Sequence, residues 1–181
     1  MNDGAVNWEE RIAALWRQID AMEAAQFVAA IDALAAERPA ADAAALFERA
    51  CARDSVGFES GAEGFYRAAL AAGQLDPYRQ ARASIQLGST LRILGQLDES
   101  ERLLAVQLDR YAQTGYGKAL YDETRAILAL TYLAQGRAVE AACLALETLA
   151  PHLSRYQRSV AGNALEIRNA ALIDAQRRPL P

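Results

Sequence analysis

Lysine is almost missing from this sequence: Lys118 is the only one, and arginine carries the rest of the positive charge. With a formal net charge of −4 and no basic run, the chain lacks the electrostatic footprint of a nucleic-acid binder. Histidine occurs once, as His152, with no HExxH and no cysteine nearby, so neither a metal site nor a histidine base is legible. The two cysteines, Cys51 and Cys143, sit in unrelated segments without CxxC spacing. They read as small buried or groove residues in a reducing compartment rather than as a staple. No apolar run approaches the ~20 residues of a membrane span. The opening "MNDGAVNWEE" lacks the basic, apolar, small-residue order of a secretory signal. A cytoplasmic protein with no nucleic-acid and no membrane partner is therefore expected. Glycine and proline are scarce, at 11 and 5 residues, and no bounded alternating run of β-branched residues marks a strand.

What is present is alanine, which fills much of the 52% hydrophobic share. Alanine has the best helix propensity and lets helices pack closely. Trp8, Ile12, Leu15, Trp16 and Ile19 fall at steps that keep one helical face, and Asn7 with Glu10 three positions on is a plausible capping pair. A second helix is expected over 24–37, ending before Pro39. Further helices are expected over 40–55, 59–72, 77–94, 97–113, 117–135, 138–151 and 154–176, with Asp76-Pro77 as a cap and first-turn proline. The fold class is all-α, with about nine helices.

Three segments come into register: "LFERACARDSVGFESGAEGFYRAAL", "SIQLGSTLRILGQLDESERLLAVQL" and "RAILALTYLAQGRAVEAACLALETL". Gly57, Gly95 and Gly136 then coincide, 38 and 41 residues apart. Seven positions before each glycine stands Ala50, Gly88 or Ala129, and five after it stands Ala62, Ser100 or Ala141. Small residues at such fixed places allow two helices to cross closely. Within the second segment, Gly88 is expected to admit a neighbouring helix and Gly95 to end its own helix in a left-handed turn. A phosphate loop would need a preceding strand and a following lysine, and both are missing.

These positions, with Tyr66, Ala69, Leu87, Leu91, Leu97, Leu128 and Tyr132, resemble the tetratricopeptide repeat, a helix–turn–helix unit. Arg53 stands where an aromatic is usual and Gln107 where alanine is usual. The spacing also exceeds the family's period of about 34 residues. The strings "LGSTLRILG" and "RDSVGFES" are further similar to small bacterial proteins of this family with no assigned activity. The resemblance implies a single domain over 1–181 that forms a short right-handed superhelix. Within it, residues 7–39 form a degenerate helix pair, 40–152 three repeats, and 153–177 a capping helix.

It also implies that the first helix of each unit lines a concave groove. The peptide-binding residues expected there are Phe47, Cys51, Asp54, Arg82, Ile85, Ser89, Arg92 and Leu130. Such a surface suits a peptide with an apolar anchor and a carboxylate or phosphate for arginine's fork. The competing reading is that Arg92 and Asp54 simply bridge adjacent helices.

The remaining candidates carry little chemistry. His152 follows Pro151 at a helix end, where it suits the dipole. Cys51 has no histidine partner, and its groove position leaves regulatory oxidation open. Asp98, Glu99 and Glu101 read as a helix start, with Asp98 as its cap. The expected function is a non-catalytic protein–protein interaction module without metal or cofactor. The alternative is a homodimer or structural assembly element acting through apolar stripes of the terminal helices: Trp8, Ile12 and Trp16 at one end, Tyr156, Val160 and Ile167 at the other.

Overall fold

The computed structural model describes residues 3–115 and 118–177. The described residues contain nine α-helices and no strand. Contacts divide the chain into two compact units, meeting between Leu94 and Gly95, a boundary inside the second of the three aligned segments.

The first unit contains α1 (Asp3–Trp16), a 3-10 turn (Ile19–Ala21), α2 (Ala24–Ala35), α3 (Ala43–Asp54), α4 (Glu59–Ala72) and α5 (Pro77–Ile93). Helix α1 begins earlier than its capping pattern predicts, so position 7 lies inside the helix rather than at its start. Helix α3 starts where the Asp42 carboxylate accepts from the Ala45 backbone N–H at 2.9 Å. Asp76 accepts from the amides of Tyr78 and Arg79, with Pro77 in the first turn, as expected for α5.

The core gathers on the N-terminal hairpin. Trp8, Ile12, Phe27, Ile31 and Leu34 are buried together with Ala45 and Ala52 of α3, and the Trp8 indole donates to the Leu34 carbonyl at 2.8 Å. Each large apolar side chain buried here is worth about 1.5–3 kcal/mol. Arg53, the departure from the repeat pattern, finds a local use. Its guanidinium bonds Asp32 at 2.7 Å and lies over the Phe65 ring, so α2 and α4 are both tied to α3.

The second unit contains α6 (Leu97–Thr114), a 3-10 turn (Lys118–Leu120), α7 (Tyr121–Ala134), α8 (Ala138–Leu149), a 3-10 turn (Ala150–His152) and α9 (Gln157–Arg177). Gln96 occupies the N-cap of α6, so Asp98 falls in the first turn. There it favours the positive helix end but does not cap it. Leu104, Leu128, Ala129 and Leu144 form the core, with Leu108, Ile127 and Tyr132 against it. Buried hydroxyls pair within it: Ser100 with Thr131 at 3.0 Å and Tyr111 with Thr124 at 3.1 Å.

The aligned glycines take the conformation that the register requires. Gly57, Gly95 and Gly136 have φ of +82°, +77° and +78°, values that an L side chain enters only at a cost. All six aligned small residues, Ala50, Ala62, Gly88, Ser100, Ala129 and Ala141, are buried.

Candidate interaction surfaces

In the first unit Glu48 and Ser55, with Arg79, Arg82 and Gln86 of α5, line one side of a cleft of about 340 Å³, and Arg82 is the one expected groove residue among them. Glu9, Ile12, Ala13 and Trp16 of α1 form the opposite wall. Glu9 and Arg79 form an ion pair from α1 to α5. Ser55 lies at the floor with Glu48, whose carboxylate accepts from the Trp16 indole at 2.7 Å. Burial raises the Glu48 carboxyl above its ordinary range, against the Trp16 bond and the charges of Arg79 and Arg82.

The predicted groove residues separate into two layers. Phe47 and Cys51 are fully buried. The Arg82 guanidinium lies 5.2 Å above the Phe47 ring, and the Cys51 thiol donates to Gln86 at 3.4 Å. Burial pushes that thiol up to about 12, so Cys51 is an inert packing residue and not the oxidation site its groove position left open. Ile85 is also buried, whereas Arg82, Ser89 and Arg92 are partly exposed along the same face of α5.

Asp54 does not bridge to Arg92. Its carboxylate accepts from the Tyr66 hydroxyl at 3.1 Å and from Thr90 at 3.2 Å, and burial raises its carboxyl above the ordinary range. Arg38, Arg49, Arg53, Arg67 and Arg79, the other partly buried arginines of this unit, each hold a carboxylate. Arg82 and Arg92 make no hydrogen bond or ion pair among the described residues, and the Arg92 Nε is buried without a partner.

Leu130, the remaining predicted groove residue, belongs to the second unit and is 45% exposed. It lines a cavity of about 790 Å³ between α7 and α8, with Ala126 and Leu133 on one side and Ala138, Ala142, Ala145 and Leu149 on the other. One end carries Asp122, Glu123 and His152, with His152 Nε2 2.9 Å from an Asp122 carboxylate oxygen. His152 is thus an exposed end residue with a carboxylate neighbour. Among the described residues no group of three histidine, cysteine or acidic side chains is placed to hold a metal ion. No described helix is long and apolar enough to cross a membrane.

The left-handed glycines, the buried small residues and the paired helices together describe a repeated helix–turn–helix. A family model described as Tetratrico peptide repeat matches residues 43–167. The chain belongs to the tetratricopeptide repeat family. No curated protein and no solved structure gives a significant match. Membership of this repeat family points to a protein–protein interaction module, and such repeats are in general scaffolds without catalysis.

Within the tetratricopeptide register, sequence reasoning missed three contributors. Glu9 and Trp16 of α1 fall outside the expected groove set because that set draws only on the first helices of the three aligned segments, and Arg79 because it precedes Arg82, the first stripe residue of α5. In fact Trp8 and Ile12 are buried in the unit's own core and Trp16 bonds Glu48, while Tyr156, just before α9, and Ile167 within it are exposed. The α8 wall was also missed. Its signal was present: aligned on Gly57 and Gly136, the positions of Glu59, Glu63 and Tyr66 are all alanine in α8.

Proposed function

We propose that the protein is a non-catalytic interaction module that holds an extended peptide along the α5 face of its first unit, with Arg82 and Arg92 as receptors for two carboxylates or phosphates. The supporting observation is the pairing pattern of the arginines. Five partly buried guanidinia in this unit hold carboxylates, and the two on the α5 stripe hold none. An unsatisfied buried N–H such as the Arg92 Nε costs about 1–3 kcal/mol, which a bound acceptor would recover. The two arginines are ten residues apart on one helix, hence about 15 Å along its axis. An extended peptide spans that distance with acidic groups four to five residues apart at ~3.3 Å per residue.

Ser89 lies between the arginines and Ile85 beneath them, while Phe47, Cys51 and Asp54 hold the stripe from below. Leu130 lies in the second unit, in the cavity between α7 and α8. The buried free thiols of Cys51 and Cys143 suit a reducing compartment, and we place the module in the cytoplasm.

The test is a peptide library with carboxylates or phosphates at graded spacing, titrated by fluorescence anisotropy against wild type and the Arg82→Glu/Arg92→Glu variant. Doubly acidic peptides are expected to bind wild type and to lose at least tenfold with the variant, whose helicity and melting temperature stay unchanged. Equal binding by both proteins would overturn the assignment, and loss of folding in the variant would favour a purely structural role for the two arginines.

A further inference from the structure

The same register position is filled in one unit and open in the other. In the first unit the cleft between α3 and α4 is the seat of α5. Arg82 lies over Phe47, Gln86 bonds Cys51 and Thr90 bonds Asp54, so contacts repeat every fourth residue along α5. Phe47, Cys51, Tyr66 and Ala69 are buried completely or nearly so. In the second unit, α7 and α8 present the equivalent cleft, with Ala129 and Ala141 buried at its base and leucines on its walls facing solvent. Leu130 and Leu133, in register with Cys51 and Asp54, are 45% and 57% exposed, and Leu149 is 49% exposed. Helix α9 packs on α8, burying Ala164 and placing Arg168 against Glu147 at 2.9 Å. It leaves the α7 wall uncovered.

We infer that the α7–α8 cleft is a docking seat for an amphipathic helix of a partner protein, which takes the place that α5 takes on α3 and α4. Three features define its chemistry. First, the cleft runs from Asp122 to Leu133, about 16 Å at 1.5 Å per residue, so it receives about three helical turns. Second, it is wider and less polar than its counterpart. Ala126 replaces Phe47, Ala138 and Ala142 replace Glu59 and Glu63, Ala145 replaces Tyr66, and Leu133 replaces Asp54. The polar or slender contacts of α5, Arg82, Gln86 and Thr90, therefore find no partners in it. The occupant needs bulky apolar side chains at those i, i+4 and i+8 places.

Third, the cleft is charged at one end only. Helix α5 runs parallel to α3, since Arg82, Gln86 and Thr90 meet Phe47, Cys51 and Asp54 in the same order. An occupant in that orientation places its N-terminal turn beside Asp122, Glu123 and His152. The positive end of the helix dipole and a basic first-turn residue then face two carboxylates. Arg79 stands at that place on α5.

The probe is a fluorescein-labelled peptide of residues 77–93 carrying Arg82→Phe, Gln86→Leu and Thr90→Leu, titrated against the full chain by anisotropy. The unaltered 77–93 peptide serves as the comparison. Saturable binding of the altered peptide, at least tenfold tighter than the unaltered one, is expected. Leu130→Glu with Leu133→Glu should abolish it, and Asp122→Asn with Glu123→Gln should weaken it several-fold and flatten its salt dependence. Ala126→Trp, which fills the seat without adding charge, keeps the test decisive if the glutamate variant loses helicity. Lack of saturable binding, or binding unaffected by Leu130→Glu and Ala126→Trp, would overturn the inference. So would a self-associated chain in sedimentation that Leu130→Glu renders monomeric, because the seat would then belong to a second copy.

Discussion

The two units carry one pattern and complete it to different degrees. In the first, the helix that follows the α3–α4 pair closes over it, and polar side chains of that helix meet polar side chains beneath. In the second, the corresponding pair is floored with alanine and walled with leucine, and the next helix covers only one side. The difference does not lie in the residues that make the repeat, because the left-handed glycines and the buried small residues are equivalent in both. It lies in the side chains between them. The repeat signature specifies how two helices of a pair cross, while the residues around it specify what, if anything, lies on top.

The largest test of this comparison exchanges one side chain between equivalent positions. Phe47→Ala removes a fully buried ring from beneath Arg82 and is expected to cost about 3–5 kcal/mol. The reverse change in the second unit, Ala126→Phe, puts a ring into open space and should move stability by less than about 0.5 kcal/mol, as for an ordinary surface substitution. Urea unfolding of the two variants measures both. Similar losses would mean that the α7–α8 cleft is closed in solution.

Next in size is Asp32→Asn. Burial works against the Asp32 charge, yet hydrogen bonds and charge from Arg53 and Arg49 hold its carboxyl below the ordinary range. A depressed folded value stabilises the fold above the unfolded range, and the stabilisation is lost as pH falls through it. The variant should lose about 1–2 kcal/mol at neutral pH, the scale of a charge-assisted bond discounted for partial exposure. Its deficit against wild type should shrink on acidification below pH 4. A deficit independent of pH would show that the pair acts through packing alone.

How far these differences could be read in advance depends on their range. The helices and their glycine breaks were legible because the signals are local: a left-handed residue, a proline in a first turn, a face repeating every three to four residues. The coverage of Phe47 and Cys51 was not, because it depends on side chains thirty-five residues away in α5. Spacing alone pairs Asp54 with Arg92, whereas the Tyr66 and Thr90 hydroxyls take its oxygens. The alanine floor of α8 is visible in the aligned segments, but the expected groove rests on their first helices alone.

A smaller effect checks that the repeat itself is equivalent. Gly57 and Gly136 both have positive φ, and an added Cβ at either meets nothing within 4 Å. Gly57→Ala and Gly136→Ala should therefore each cost about 1–2 kcal/mol from the backbone conformation alone. Thermal melts that separate the two values by much more than this would show that the turns differ between the units after all.

The smallest expected change concerns Glu48, whose counterpart in the second unit is Ile127, an apolar residue packed against that unit's core. An acid at a core position of the repeat lowers stability wherever it is ionised. Burial raises the Glu48 carboxyl, so the folded state holds the proton more tightly than the unfolded state. The associated stability is full below the ordinary carboxylate range and is lost as pH rises through the raised folded value. Glu48→Gln keeps an oxygen to accept from the Trp16 indole and removes the charge. It should melt slightly above wild type at pH 7, with the gain vanishing near pH 4, whereas Asp32→Asn melts below wild type at neutral pH. If Glu48→Gln instead melts below wild type at pH 7, Arg79 and Arg82 stabilise the carboxylate in the fold. Arg82 would then be engaged from within the chain, and Arg92 alone would remain to receive an acidic peptide. The melting curves of this one variant therefore weigh on the arginine pair as well as on the contrast between an acid and an isoleucine at one place in the repeat.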